Sequence, residues 1–382
     1  LTAIRPQQRQ GASRIPYGRG LSVNMKPVFD NGVSKLFHTD ARSLPLKDKS
    51  VHCIVTSPPY YGMRAYDVES AIWDEVDDCE HDFVYTERKH PMTRTNYGSS
   101  VQPQAGGVNV ADEPIHEGVC SKCNAWHGKL GEEESSNRYI DHLIEVFLEA
   151  KRVLRDDGVM WVNLGDTYRD GGALGVPWRF ALRMMEEPVG MLLRSEVIWS
   201  KPYGFPENLH GWEWKDNEGK RELTRGSWRC TDAHEPIFQF AKAMHYYGQN
   251  PGYQVSSPNH RSVWEIPVHS ASNSHYAMFP EMLLNTCIMS STPDGGVCAK
   301  CGAPWAWGKP PIKQWLRTCE CETWGIDIGS VKATVLDPFC GSATTVVVAQ
   351  KLGRSGIGTD SSEKYLKDAV ERMEAVPFAM FT

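Results

Sequence analysis

The stretch that most constrains the fold is VHCIVTSPPYY, residues 51–61. Its first seven residues form a nearly continuous apolar run, the signature of a strand covered on both faces. Two prolines then end it. Pro58 and Pro59 lack backbone N–H groups and hold φ near −65°, so the chain leaves the sheet in a rigid, extended form. The other apolar stretches alternate in type. Helical spacing of Ile140, Leu143, Ile144, Phe147, Ala150, Val153 and Leu154 predicts a helix closed by Gly158, with VMWVNLG (159–165) as the next strand. Further strands are expected at 192–200, 236–242, 334–339 and 354–360, and further helices near 177–187, 279–289, 343–352 and 362–374. Strands alternating with helices of this length imply an α/β chain with a mixed, mostly parallel sheet covered on both faces.

Three segments break the rhythm: 79–135, 203–234 and 291–330. They are expected to be insertions on one large core that spans 25–382, with residues 1–24 as an N-terminal arm. No internal repeat is expected. No apolar run approaches the roughly 20 residues that span a bilayer, and residues 1–20 carry no apolar h-region of a secretory leader. A cytoplasmic protein with no membrane partner is the expectation. The formal net charge of −6 argues against a chain that coats nucleic acid, although a basic groove can coexist with an acidic exterior.

In a parallel sheet, ligands sit beyond the carboxyl ends of the strands. Strand 51–56 delivers Ser57, Pro58, Pro59 and Tyr60 to that edge. Ser57 Oγ and the Pro58 carbonyl are fixed acceptors, and Tyr60 offers an aromatic face. Together they suit a planar group bearing an amine. A second such edge is expected at VLDPFCGSATT, where a strand runs into Asp337 and a loop containing Gly341 and Ser342. A later strand ends in Asp360. Small residues in the turn and an acid about 20 residues on are the logic of a nucleoside site. An acid before the turn repels a pyrophosphate and suits a cationic ligand such as S-adenosylmethionine.

TSPPYY early in the chain and DPFCGSATT late resemble the β class of S-adenosylmethionine-dependent DNA amino-methyltransferases, in that circularly permuted order. VMWVNLGDTY, VIWSKP, HEPIFQFAK and HYAMFPEML lie between them and match further segments of the family. The resemblance implies a Rossmann-like methyltransferase fold and S-adenosyl-L-methionine as cofactor. It also implies double-stranded DNA as partner, with the target base flipped out of the duplex. Carried over residue by residue, Ser57 and the Pro58 carbonyl accept hydrogen bonds from the exocyclic amine and Tyr60 stacks on the base. Asp337, Phe339, Gly341 and Ser342 match the cofactor loop, Asp360 the ribose acid, Asp40 an acid at the adenine or methionine end, and His275 and Phe279 a segment closing over the methionine portion. Ser57 at the first motif position favours cytosine N4, with adenine N6 as the alternative. A zinc-stapled nucleic-acid-binding protein with an inactive core is the alternative of another class. The resemblance leaves open a homodimer, a restriction endonuclease partner, and a bacterial, archaeal or phage source.

The 11 cysteines fall largely in close pairs, which without a secretory leader reads as metal rather than disulfide. Cys79, His81, Cys120 and Cys123 make one candidate set, with His116 or His127 able to replace His81. Cys298, Cys301, Cys319 and Cys321 make another. Structural Zn²⁺, one ion or two, stapling the insertions is the expected role. Basic and aromatic residues interleave in EWKDNEGKRELTRGSWR (213–229), which suits DNA contact as well as it suits a solvated loop.

Overall fold

In a computed structural model of the chain, residues 25–63, 66–88, 114–169, 171–202, 212–217, 220–224, 226, 228–249, 261–267, 280–308, 312, 314–321 and 329–376 are described. The expected arm, 1–24, lies outside them.

The centre is a nine-stranded sheet. Its strands are β1 (Phe29–Asp30), β2 (Lys35–His38), β3 (Val51–Thr56), β8 (Leu154–Asn163), β11 (Leu192–Ser200), β14 (His234–Ala241), β15 (Val263–Glu265), β20 (Thr334–Asp337) and β21 (Ser355–Asp360). Their order is β1-β2-β21-β20-β3-β8-β14-β11-β15. The pairs β2/β21, β21/β20, β20/β3 and β3/β8 are parallel, whereas β14 runs antiparallel to both β8 and β11. β20, near the end of the chain, therefore pairs with β3, near its beginning. From β20 the chain goes on through helix α4 (Thr344–Lys351) to β21 on one side, while from β3 it goes to β8 on the other. The strand order reverses between β20 and β3, and at such a point the two outgoing loops diverge and leave a crevice.

Both faces of the sheet are covered. Helices α1 (Ser136–Val153) and α2 (Val176–Met185) bury Leu143, Phe147, Ala150 and Phe180 against Ile54, Met160 and Phe240. Helix α3 (Glu281–Ser291) joins α4 in a second layer, in which Leu284, Cys287, Ile288 and Val348 pack on Cys53, Trp161 and Val335. Cys53 and Cys340 are both buried. Helix α5 (Glu363–Glu374) packs Leu366, Ala369 and Met373 with Leu36 and Val347.

One local expectation fails. Gly158 does not close α1; the helix ends at Val153, and Leu154 turns directly into β8. Leu154 continues the helical apolar spacing, but its backbone pairs with Val51, so sheet pairing overrides the helical pattern. Gly158 sits inside β8, where a Cβ would come 3.0 Å from the His52 carbonyl oxygen.

The segments that break the rhythm carry small structures of their own. A four-stranded antiparallel sheet is built from β4 (Ala71–Trp73), β5 (Phe83–Arg88), β6 (Ile115–Cys120) and β7 (Trp126–Gly128), in the order β4-β7-β6-β5. Two-stranded ribbons pair β9 (Tyr168–Arg169) with β10 (Gly172–Ala173) and β12 (Glu213–Asn217) with β13 (Lys220–Thr224). Two more pair β16 (Val297–Cys298) with β19 (Ser330–Val331), and β17 (Ala306–Trp307) with β18 (Trp315–Leu316).

A short internal repeat, absent from the sequence expectation, emerges here. CSKCNA (120–125) and CAKCGA (298–303) form the same knuckle. Cys120 N donates to the Ala125 carbonyl and Cys298 N to that of Ala303. Asn124 N donates back to the Cys120 carbonyl, as Gly302 N does to that of Cys298. Asn124 and Gly302 both take positive φ, 68° and 72°. No helix among the described residues is long and apolar enough to cross a membrane.

Candidate functional site

The crevice between β20 and β3 opens into a cleft lined by Ser57 and Pro59 from the end of β3, by Phe339 and Gly341 from the loop after β20, and by Asp360 and Asp40 from the ends of the neighbouring strands β21 and β2. The two halves expected from the sequence thus meet, although some 280 residues separate them. The wall is completed by Trp73 and Lys129 from the four-stranded sheet and its following loop.

At the cofactor-type loop, Gly341 takes φ +48° and its N–H donates to Asp360 Oδ2 at 2.9 Å. Asp360 Oδ1 accepts from Ser362 N, so this acid holds the loop and the start of α5 together while still lining the cleft. Burial pushes its carboxyl above the usual range, against those backbone hydrogen bonds. Asp337 differs from expectation. It does not line the cleft but lies beneath the loop, 3% exposed, with both oxygens occupied. Thr56 Oγ1 and Phe339 N donate to Oδ1 and Thr345 Oγ1 to Oδ2. Burial pushes Asp337 up to about 6, against the pull of those donors. Its observed work is to lock β3, the loop and α4 to one another. Ser342 is also outside the lining; Arg372 of α5 donates to its carbonyl and hydroxyl oxygens. Asp40 lines the cleft, but its carboxylate is taken by Arg42 in a bidentate pair, with the Arg42 guanidinium 3.9 Å from the centre of the Trp73 ring. His275 and Phe279 lie outside the described residues.

On the other side, the segment after β3 is held from several directions. Tyr139 of α1 donates its hydroxyl to the Pro59 carbonyl at 2.6 Å, and Gly62 N donates to the Gly131 carbonyl. The Tyr60 ring lies against Gly165, where a Cβ would come 2.6 Å from Cε2; any side chain there would displace the ring. Ser57 Oγ donates to Tyr60 Oη at 3.2 Å, and Tyr60 Oη donates to Glu235 Oε2 at 2.8 Å. Asn163 Nδ2 donates to both of those oxygens at 2.7 Å. Lys201 pairs with Glu235 Oε1. Burial, with the Glu235 charge next, holds the Tyr60 phenol well above its usual range. Asn163 Oδ1 is buried without a hydrogen-bond partner among the described residues.

Sequence reasoning missed Glu235, Asn163 and Lys201 as a group, because they come from three strands. The one local signal was Glu235 itself, a charged residue opening the otherwise apolar HEPIFQFA strand. Asp166, in LGDTY, caps α2 by accepting from Gly175 N and Val176 N.

The two cysteine sets also come together. In each, the ligand atoms of Cys79, His81, Cys120 and Cys123, or of Cys298, Cys301, Cys319 and Cys321, lie within 4.8 Å of one another. Cys79 Sγ is 4.0 Å from Cys120 Sγ, and Cys123 Sγ is 3.3 Å from His81 Nδ1. A tetrahedral ion with bonds of about 2.3 Å separates its ligands by about 3.8 Å, so both donor sets fit Zn²⁺ in spacing and in chemistry. The second knuckle docks on the opposite end of β3: His52 Nδ1 accepts from Thr334 N, which leaves Nε2–H to donate to the Gly302 carbonyl. Near the ribbon β12–β13, Trp212, Trp214 and Trp228 are each about two-thirds or more exposed, and Arg229 lies over the Tyr168 ring.

The sequence pattern of the N6_N4_Mtase family, described as DNA methylase, matches residues 51–303 and 306–371. The type II methyltransferase M.Cfr9I of Citrobacter freundii is 26% identical over 385 residues, covering 91% of this chain and 90% of that protein. The type II methyltransferase M.SmaI of Serratia marcescens is 28% identical over 284 residues, 64% of this chain and 77% of its own length. Among solved structures, the PvuII DNA methyltransferase (cytosine-N4-specific) has the same fold. It superposes with a TM-score of 0.54 at 17% identity, over 91% of this chain and 89% of that one.

Proposed function

The chain belongs to the N6/N4 DNA methylase family and is a DNA amino-methyltransferase; we propose that it moves a methyl group from S-adenosyl-L-methionine to cytosine N4 in a base flipped out of duplex DNA. The observation that carries this reading is the shared cleft: Ser57 and Pro59 line it beside Phe339, Gly341 and Asp360. A cofactor laid along the loop of β20 would present its methyl group to an amine held at the end of β3. The exocyclic amine is a weak nucleophile because its lone pair is delocalised into the ring. Acceptors at Ser57 Oγ and the Pro58 carbonyl would favour a pyramidal nitrogen whose lone pair meets the methyl carbon in line. Tyr60 would stack on the base and offset part of the cost of unstacking it. When bound, the cofactor supplies the electrophilic methyl; Asp360 would grip its ribose, and Phe339 with Gly341 would shape its bed.

Cytosine is the reading because the first motif residue is Ser57. Adenine N6 is the alternative, and the deciding measurement is direct. DNA incubated with the protein and labelled cofactor is digested to nucleosides and analysed by mass spectrometry. N4-methylcytosine is the expected product. N6-methyladenine overturns the choice of base, and no transfer with retained DNA binding overturns the activity. The exposed Trp214 and Trp228, with Arg229 next to Trp228 in sequence, would suit base stacking and phosphate contact with DNA.

Zinc is proposed at both cysteine sets, as a staple of the insertions. The expected elemental analysis is about two zinc ions per chain, one for each set. Cys319→Ser should remove one of them and lower the thermal midpoint, because closing a loop on a metal supplies folding free energy. A fully folded protein with no zinc would overturn the assignment.

A further inference from the structure

Methyl transfer to a neutral amine leaves that nitrogen with a positive charge and one hydrogen too many. Something must take the proton. The ordered hydroxyls beside the cleft suggest where it goes. Ser57 Oγ donates to Tyr60 Oη at 3.2 Å, and Tyr60 Oη donates to Glu235 Oε2 at 2.8 Å. Both donors point the same way, from the cleft toward the carboxylate. Ser57 lines the cleft and Tyr60 and Glu235 do not, so the chain has one end at the reacting group and the other away from it.

We propose that Glu235 is the terminal proton acceptor of the methyl transfer, reached through Ser57 and Tyr60. The inference rests on the DNA methyltransferase reading above. The balance is simple. The amine nitrogen forms a bond to the methyl carbon, and the carbon–sulfur bond breaks with its electron pair left on sulfur. The charged nitrogen then gives a proton to Ser57 Oγ while the serine's own proton passes to Tyr60 Oη and the tyrosine's to Glu235 Oε2. Both hydroxyls end neutral and the carboxylate ends protonated. No tyrosinate forms, which matters because burial makes a free phenolate costly at this position.

Two neighbours keep the chain aligned. Asn163 Nδ2 donates to both Tyr60 Oη and Glu235 Oε2, so the two acceptors are held side by side. The amide's orientation follows from chemistry, since both partners need a donor there. That commitment leaves Asn163 Oδ1 buried without a hydrogen-bond partner among the described residues. Lys201 holds the other carboxylate oxygen. Glu235 and Lys201 side chains are 17% and 21% exposed, which gives the proton a way out to solvent after each turnover. Glu235 acts through Tyr60 and Ser57 and does not touch the base, so it is a positioning and proton-accepting residue.

The test compares wild type with Glu235→Gln, Tyr60→Phe and the double variant in single-turnover methyl transfer on preformed complexes with DNA and cofactor. Tyr60→Phe keeps the ring and removes only the hydroxyl, so it does not depend on Glu235→Gln folding well. Each single variant is expected to lose on the order of 10²-fold in rate, the usual worth of a positioned proton acceptor. The double variant should lose no more than the worse single, because both break one chain. The Glu235→Gln rate should climb with pH as solvent takes over the proton, while its cofactor affinity stays at the wild-type value. Wild-type rates in Tyr60→Phe or Glu235→Gln, or losses that multiply in the double variant, overturn the relay. Failure of the wild type to methylate any DNA base would instead overturn the underlying activity.

Discussion

Tyr60→Ala is expected to abolish methyl transfer while leaving cofactor affinity within a few-fold of wild type. The asymmetry follows from where the ring sits. Tyr60 is absent from the lining of the cleft shared by Asp40, Phe339, Gly341 and Asp360, so its removal takes nothing from the cofactor bed. In the proposed function its ring is instead the surface offered to the base, and its hydroxyl is the junction of Ser57, Asn163 and Glu235. Truncation removes stacking worth roughly 1–3 kcal/mol per base and leaves Asn163 Nδ2 and Glu235 Oε2 short of a partner in a half-buried site. The backbone of the motif should survive, because Tyr139 holds the Pro59 carbonyl independently. Ser57→Ala is the companion change. It keeps the shape of the pocket and deletes an acceptor for the amine, a loss on the order of 10²–10³-fold in transfer by analogy with the removal of one preorganised hydrogen-bonding group. Single-turnover transfer with labelled cofactor and calorimetric titration of cofactor separate the two effects. Equal loss of both in either variant would count against the assignment of Ser57 and Tyr60 to the base.

The sheet was legible because its strands announce themselves. VHCIVT and TVLD are short, largely apolar and run into prolines at their ends, and the order of the two motifs implied that the chain's end returns beside its beginning. The pairing of β20 with β3 is that return. The end of α1 was not legible, since Leu154 satisfies the helical spacing and the pairing with Val51 that claims it is a long-range contact. Asp337 shows a second limit. An acid at a strand end can face the ligand or brace the loop from below. Only the positions of Thr56 and Thr345, on two other elements, decide that it braces. The cysteine sets could be proposed from the sequence because C-x-x-C spacing is local, and the fold draws their ligand atoms together with His81, rather than His116 or His127, in the first set. Glu235, Asn163 and Lys201 were invisible as a group for the opposite reason: nothing in the spacing of residues 163, 201 and 235 joins them until β8, β11 and β14 lie side by side.

His142→Ala is expected to destabilise the protein by about 3–5 kcal/mol, the usual cost of removing one partner from a buried ionic group. His142 of α1 is fully buried and lies between Trp73 and Trp126, with ring centres 4.7 and 5.4 Å away and nearly parallel planes. Its Nδ1 meets Glu133 at 2.9 Å and its Nε2 meets Asp74 at 3.2 Å. Burial works against a charged ring, but the hydrogen bonds to Asp74 and Glu133 and the charges of both outweigh it and hold its pKa above the ordinary value. Two indole faces favour a cation as well. The other charged groups close by are Glu145, one turn along α1, and Arg138, which donates to the same Asp74 Oδ2. Removing the imidazolium would leave Glu133, wholly buried, with no counter-charge. Glu133 in turn accepts from Gly131 N, and Gly131 packs on the Tyr60 carbonyl, so the damage should reach the base side of the cleft. The pH dependence has a definite sign. Because the folded pKa is raised, the ring's contribution is fully present below the unfolded value of about 6.5 and is lost as pH rises through the folded value. Wild type should therefore lose stability to denaturant as pH climbs above about 6.5, and His142→Ala should lack that component of the slope. A variant as stable as wild type at pH 6, or one that keeps the full wild-type slope, would show that the imidazolium is not what ties the four-stranded sheet to α1.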